Sequence, residues 1–167
     1  MAGRAWLMVA GAVLLAGCGD RDSDASPSTN FVPPVTQQPD PLPGQAQTTP
    51  LSAYVGHYPQ DAVEGVSFFD RTDVAATLVD LVPEERLRRL IAGRDATQVP
   101  IFRTGNRIAA HGCEAHDCGD HNWTVLMPAN GDRDLAAVCY HRAAMGGASR
   151  WTTRAGTAQR PGDCPSA

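Results

Sequence analysis

The chain has 167 residues, a formal net charge of −4 and a hydrophobic content of 43%, which is enough for about one domain with a packed core. The acidic balance excludes sequence-independent binding of nucleic acid, because that activity needs a basic surface. Aromatic residues make up only 6% of the chain, so the core must be mainly aliphatic. The five cysteines are an odd number, which requires an explanation in an exported protein.

The first eighteen residues have the pattern of a lipoprotein signal peptide. Arg4 supplies a positive charge, and residues 5–16 form an apolar run of about twelve residues, too short to cross the ~30 Å hydrocarbon core of a bilayer but typical of a signal peptide. The run ends in Leu-Ala-Gly-Cys at residues 15–18. This ending resembles the bacterial lipobox, in which the cysteine receives a diacylglycerol and becomes the mature N-terminus. We therefore expect residues 1–17 to be removed and Cys18 to anchor the protein to a bacterial membrane, facing the periplasm. An ordinary secretory signal that contains a cysteine by chance is the alternative.

Residues 18–52 are predicted to form a lipidated, disordered tether. They contain seven of the thirteen prolines, and most of the other residues are Ser, Thr, Gln and Asp. Such a segment buries too little apolar surface to fold, and its prolines favour an extended chain. The tether would hold the domain of residues 53–167 away from the membrane. A leader whose length has no function is the alternative.

The rest of the chain is predicted to fold as an α+β domain that begins with two helices. Apolar residues at helical spacing predict a helix over 73–82, with Thr72 or Asp73 as its cap. Pro83 is predicted to open a second helix, which ends at Gly93. The solvent-exposed face of this second helix is predicted to carry three arginines, Arg86, Arg88 and Arg89.

After the second helix the pattern changes to short strands with turns between them. Five strands are predicted, over residues 98–103, 107–111, 121–127, 135–141 and 150–153. Short turns between consecutive strands imply an antiparallel meander, which the helices would cover on one face. In the third strand Trp123, Val125 and Met127 alternate toward the core, and Tyr140 fits a half-buried position in the fourth.

The cysteine count is explained if Cys18 carries a lipid, because the other four cysteines can then pair. An exported compartment is oxidising, so two disulfides are expected. Four cysteines allow three pairings. We favour Cys113–Cys118 with Cys139–Cys164, because the short loop between the first two closes at low entropic cost.

Chemically active side chains concentrate in residues 111–121, which read His-Gly-Cys-Glu-Ala-His-Asp-Cys-Gly-Asp-His. We interpret this segment as a rigid, protruding loop closed by a disulfide, with His116 and Asp117 at the tip. Gly112 and Gly119 flank the loop and would permit its tight backbone. A loop that is ordered in advance loses little entropy on binding, so its shape suits insertion into a cleft.

Three other interpretations of the segment remain open. A zinc site would use His111, Cys113, Cys118 and His121, although thiols in an exported domain tend to oxidise. Catalysis would need the histidine and aspartate at the tip to act as an acid–base pair, or a reduced cysteine to act as a nucleophile. In the third interpretation the histidines are surface residues with no chemical role. We expect no enzymatic activity, no bound metal and no cofactor.

The disulfide-closed loop resembles the signature loop of the inhibitor of vertebrate lysozyme family, known as Ivy, which reads Cys-Lys-Pro-His-Asp-Cys. Both cysteines match, at Cys113 and Cys118, and so do His116 and Asp117. The order of two helical segments, a strand, the closed loop and further strands also fits the family. The resemblance extends over residues 54–153.

The resemblance implies a periplasmic binding protein with an antiparallel sheet flanked by helices. Family members insert the loop into the active-site cleft of C-type lysozyme, where the histidine meets the catalytic carboxylates. His116 would take that role, and Asp117 would support the loop. The family is also linked with restraining the cell's own lytic transglycosylases. The implied partner is therefore a C-type lysozyme or an endogenous lytic transglycosylase, and a homodimer is also open.

Two positions of the loop depart from the family pattern. The family's lysine is Glu114 here, and its proline is Ala115. A carboxylate that enters a cleft holding two other carboxylates is expected to be repelled. Alanine also leaves the loop less stiff than proline does. We therefore expect the scaffold to follow the family and the target to differ.

Overall fold

The computed structural model describes residues 48–167 of the chain. The predictions of a signal peptide over residues 1–17, a lipidated Cys18 and most of a tether over residues 18–52 lie outside the described residues. Within the described part, every helix is too short or too polar to span a bilayer.

Two short helices precede the sheet. α1 spans Thr72–Leu81 and α2 spans Glu85–Ala92. The N-cap position of α1 is occupied by Arg71, so the prediction that Thr72 or Asp73 caps the helix is wrong. Asp73 instead accepts two hydrogen bonds from the guanidinium of Arg71, at 3.0 and 2.8 Å.

The second helix differs from its prediction at the start. It begins at Glu85 rather than at Pro83, and it ends at Gly93 as predicted. Two of the three arginines assigned to solvent are exposed, but Arg88 is partly buried. Its guanidinium donates to the carbonyl oxygens of Val82 and Pro83, at 2.5 and 2.8 Å. Arg88 therefore satisfies carbonyl groups at the C-terminal end of α1 instead of facing water.

Antiparallel strands form one sheet of seven members, two more than predicted. Their bounds are β1 Thr97–Gln98, β2 Phe102–Thr104, β3 Arg107–Cys113, β4 His121–Pro128, β5 Ala137–Arg142, β6 Ala148–Thr153 and β7 Gly156–Pro161. Both β1 and β2 pair with β3, and the order then continues through β4, β5, β6 and β7. Each strand from β2 onward therefore lies beside its successor, which confirms the α+β fold with an antiparallel meander.

Three details of the strand predictions are wrong. The strand expected over 98–103 is two strands, β1 and β2, because Pro100 between them has no N–H to donate to the sheet. The strand expected over 135–141 begins only at Ala137, since residues 133–135 form a 3₁₀ turn. β7 has no counterpart among the predictions. All six of its residues are exposed, so it lacks the apolar alternation that marks a half-buried strand.

The two faces of the sheet have different partners. Trp123, Val125 and Met127 share one face and are at most 1% exposed, as predicted. The same core cluster contains the buried apolar residues of both helices, Val74, Leu78, Leu81, Leu87 and Ile91. The opposite face carries a smaller cluster with no helix residue, formed by Ala109, Leu126 and Ala137 with Phe102 and Trp151. Both helices therefore pack on one face, and Tyr140 is partly buried as expected.

The C-terminal segment is tied to the face opposite the helices. Its predicted disulfide, Cys139–Cys164, is present. The Thr124 hydroxyl donates to the carbonyl of Pro165 at 2.6 Å and lies 2.9 Å from Nδ1 of His111. The hydroxyl has a single proton, so His111 supplies the proton of the second bond. Burial lowers the pKa of His111, and the Pro165 carbonyl opposes that shift only in part.

This shift predicts a contribution of His111 to the pH dependence of stability. Because the folded-state pKa lies below the ordinary value of 6.5, the unfolded chain binds more protons near that pH. The stabilising contribution is complete above the unfolded pKa and is lost as the pH falls through the folded pKa. We expect the free energy of unfolding, measured with urea, to fall less steeply on acidification in His111→Asn than in the wild type. The exposed His57→Asn is the matched control, and parallel curves for wild type and His111→Asn would contradict the assignment.

Candidate functional site

The segment between β3 and β4 protrudes from the sheet as a closed loop. Cys113, the last residue of β3, pairs with Asn122 in the ladder and forms the predicted disulfide with Cys118. Cys113 is 4% exposed, whereas every residue from 114 to 120 is exposed. The disulfide therefore fixes the base of the loop to the buried sheet and leaves the rest in solvent.

Backbone hydrogen bonds order the loop internally. The N–H of Glu114 donates to the carbonyl of His121 at 3.0 Å, which extends the ladder by one pair. The N–H groups of Asp117 and His121 donate to the carbonyls of Glu114 and Asp117, at 3.0 and 2.8 Å. The side chain of Asn122 donates to the carbonyl of Cys118 at 3.0 Å. Together with the disulfide, these bonds limit the conformations open to the free loop.

The tip of the loop is formed by His116 and Asp117, as predicted. His116 has a φ of 68°, a left-handed conformation that is uncommon outside glycine. Its side chain is exposed and makes no hydrogen bond within residues 48–167. The tight turn thus includes His116 itself, whose imidazole is exposed to solvent.

The two flanking glycines have different roles from the one predicted. Gly119 lacks a positive φ and has open space where a Cβ would lie, so the turn does not require it. A Cβ on Gly112 would lie 3.0 Å from Nε1 of Trp123 and 3.2 Å from the carbonyl oxygen of Thr97. Gly112 is therefore needed for close packing within the sheet rather than for the turn.

A chain of three polar side chains joins the base of the loop to β5. The carboxylate of Glu114 pairs with Nδ1 of His121, and Nε2 of His121 lies 2.9 Å from the hydroxyl of Tyr140. A neutral imidazole that donates to the carboxylate through Nδ1 accepts the tyrosine proton at Nε2. Burial raises the pKa of Tyr140, which keeps that proton on the hydroxyl. The sequence indicated nothing of this chain, because its members come together only through strand pairing.

The zinc interpretation is contradicted by the geometry. Cys113 and Cys118 are bonded to each other, so neither offers a thiolate. His111 and His121 lie on opposite faces of the sheet, because His111 pairs with Thr124 and successive residues of a strand alternate. The four residues therefore cannot surround one ion.

One other cluster within the described residues has side chains of the metal-binding type. Ligand atoms of Glu114, Asp117 and His121 lie within 4.8 Å of one another. Both ring nitrogens of His121 already have hydrogen-bond partners, Glu114 and Tyr140. A cation could use this imidazole only by displacing one of them, so the cluster is better described as the internal support of the loop.

An open cavity of about 700 Å³ adjoins the base of the loop. Residues of α2 and of the linker after it form one wall, and residues of β4, β5 and β6 form the other. The polar lining residues are Glu84, Arg86, Arg89, Asp95, Glu114, His121, Tyr140, Arg142 and Arg150. Arginine is thus the most frequent polar residue of the lining, a feature that sequence analysis did not reveal.

Comparison with known proteins finds no matching family model, no matching curated protein and no matching solved structure. The resemblance to the Ivy family therefore stays a prediction that depends on the loop motif and the order of the elements.

The backbone of His116 provides a test of the loop geometry. A left-handed conformation costs a non-glycine residue about 1–2 kcal/mol, whereas the extra chain entropy of glycine costs about 0.5–1 kcal/mol. We expect His116→Gly to be more stable than His116→Ala by about 0.5–1 kcal/mol in urea denaturation. At the neighbouring Ala115, which has no positive φ, glycine should destabilise the fold. A His116→Gly variant less stable than His116→Ala would refute this turn geometry.

Proposed function

We propose that the protein is a non-enzymatic, lipid-anchored inhibitor of a lysozyme-type enzyme. The disulfide-closed loop of residues 113–118 would enter the active-site cleft of a C-type lysozyme or of an endogenous lytic transglycosylase. The observation that carries the proposal is the position of His116 at the tip of this exposed loop, with a side chain that makes no hydrogen bond to any residue from 48 to 167.

Preorganisation of the loop favours binding. A flexible loop must lose conformational entropy when it enters a cleft, and that loss reduces its affinity. Here the Cys113–Cys118 disulfide and the hydrogen bonds of the loop restrict it before binding. More of the contact free energy is then available for association.

The side chain of His116 suits a cleft that contains catalytic carboxylates. The imidazole of His116 can donate a hydrogen bond to a catalytic carboxylate, and the carboxylate's charge strengthens such a bond. Glu114, which the sequence suggested would be repelled from the cleft, is paired with His121 at the base of the loop. This pairing gives the carboxylate of Glu114 a partner inside the protein. Glu114 would then support the base of the loop, while His116 would contact the cleft.

Charge and targeting support a membrane-bound inhibitor outside the cytoplasm. Removal of residues 1–17 takes away Arg4, the only charged residue among them, and changes the net charge from −4 to −5. A negative protein associates faster with a basic partner such as lysozyme, most clearly at low salt. The two disulfides suit an oxidising compartment such as the periplasm. Cys18 would carry the lipid, and the proline-rich segment after it would set the distance of the domain from the membrane.

An inhibition assay tests the proposal. The full chain with Cys18→Ser, which cannot be lipidated, should slow a C-type lysozyme or a lytic transglycosylase on cell-wall substrate. His116→Gly should weaken inhibition by about tenfold or more, the usual effect of losing a charge-assisted hydrogen bond. Glycine keeps the left-handed backbone, so the imidazole is removed without changing the turn geometry.

The matched control is His57→Gly, which removes an exposed histidine outside the loop. It should leave inhibition unchanged. The proposal fails if neither class of enzyme is slowed at micromolar protein with the Cys113–Cys118 bond confirmed by mass mapping. It also fails if inhibition is the same with and without the His116 imidazole.

A further inference from the structure

The proposed inhibition does not involve the arginines of the cavity beside the loop. The cavity lies between α2 and the sheet, and its volume of about 700 Å³ falls within the usual range for small-molecule sites. Four arginines line it, Arg86, Arg89, Arg142 and Arg150.

The acidic groups of the lining do not neutralise all four arginines. Glu84 pairs with Arg150 at 3.4 Å, and Glu114 pairs with His121. Arg89 pairs with Glu85 on the surface of α2, at 3.2 Å. Within residues 48–167, Arg86 and Arg142 form neither an ion pair nor a side-chain hydrogen bond. Two guanidinium groups are therefore available at the cavity wall.

A third arginine has an unsatisfied donor. Nε of Arg150 is buried and has no hydrogen-bond partner among the described residues. The guanidinium lies over the ring of Tyr140, with Cζ 5.2 Å from the ring centroid. Because Nε is enclosed by protein atoms, Arg150 contributes the positive charge of its guanidinium to the cavity rather than this donor.

We propose that this cavity binds a small molecule that carries an oxyanion, either a carboxylate or a phosphate. The planar guanidinium group presents paired N–H donors that match the oxygens of both groups. Arg142 and Arg86 hold the oxyanion. Asp95 and Glu84, which also line the cavity, accept hydrogen bonds from hydroxyl or amino groups of the same ligand.

The binding experiment uses three related probes with the Cys18→Ser full chain. Gluconate carries a carboxylate, glycerol 3-phosphate carries a phosphate, and sorbitol is a neutral polyol. Titration calorimetry or NMR should detect at least one of the two anions, with a Kd below about 20 mM, and no binding of sorbitol. The anion that binds more tightly identifies the source of the oxyanion.

Variants assign the binding to the cavity. Arg142→Gln and Arg86→Gln should each weaken binding of the anion by about tenfold. Both residues are exposed and have no ion-pair partner in the described part of the chain, so the fold should persist, which circular dichroism checks. The matched control is Arg103→Gln, which removes an exposed arginine of β2 that lies outside the cavity lining and should leave the affinity unchanged.

Three results would overturn this proposal. They are the absence of detectable binding of either anion up to about 20 mM, equal binding of sorbitol, and equal affinity in the wild type, Arg142→Gln and Arg86→Gln. None of them depends on lysozyme inhibition, because the assay contains no enzyme and leaves His116 intact. The two proposals can therefore fail separately.

Discussion

The antiparallel pairing of β3 with β4 determines the position of every side chain on which the account depends. Gly112 lies opposite Trp123 and Cys113 opposite Asn122. Strand residues alternate between the two faces of the sheet. A shift of the pairing by one residue would therefore move Trp123 out of the core and turn every other side chain of the strand to the opposite face. Trp123 is 1% exposed, and a Cβ on the residue opposite it would crowd its indole at 3.0 Å. The packing of this pair therefore fixes the register, and the register fixes where the loop begins.

This register separates the residues that support the base of the loop from the residues that are exposed at its tip. Glu114 and His121 face each other across the base of the loop, and their contact with Tyr140 ties that base to the next strand. The tip residues His116 and Asp117 have no such ties from their side chains within the described part of the chain. The same arrangement brings Glu114 and His121 into the wall of the cavity beside α2. The loop and the cavity thus share a rigid boundary while presenting different chemistry, an imidazole at the tip and guanidinium groups in the cavity.

The features that could be predicted from the sequence are those encoded by neighbouring residues. Helical spacing predicted both helices, alternation placed Trp123, Val125 and Met127 in the core, and proximity along the chain favoured the pairing of Cys113 with Cys118. The features that were missed depend on residues distant in sequence. The contact between Tyr140 and His121 spans 19 residues, and the four cavity arginines come from a helix and two strands. The zinc interpretation failed for the same reason, since ligand spacing does not reveal that His111 and His121 lie on opposite faces. β7 carries no apolar pattern because both of its faces are exposed.

The central claim is that the tip of the loop meets the active-site cleft of its target. The most direct measurement is amide chemical-shift mapping of the isotope-labelled Cys18→Ser chain during titration with a C-type lysozyme, alone and with its cleft filled by a chito-oligosaccharide. The account predicts that the largest shifts fall on residues 114–118 and disappear when the cleft is filled. Shifts confined to other surfaces, or loop shifts that persist with the cleft occupied, would contradict it.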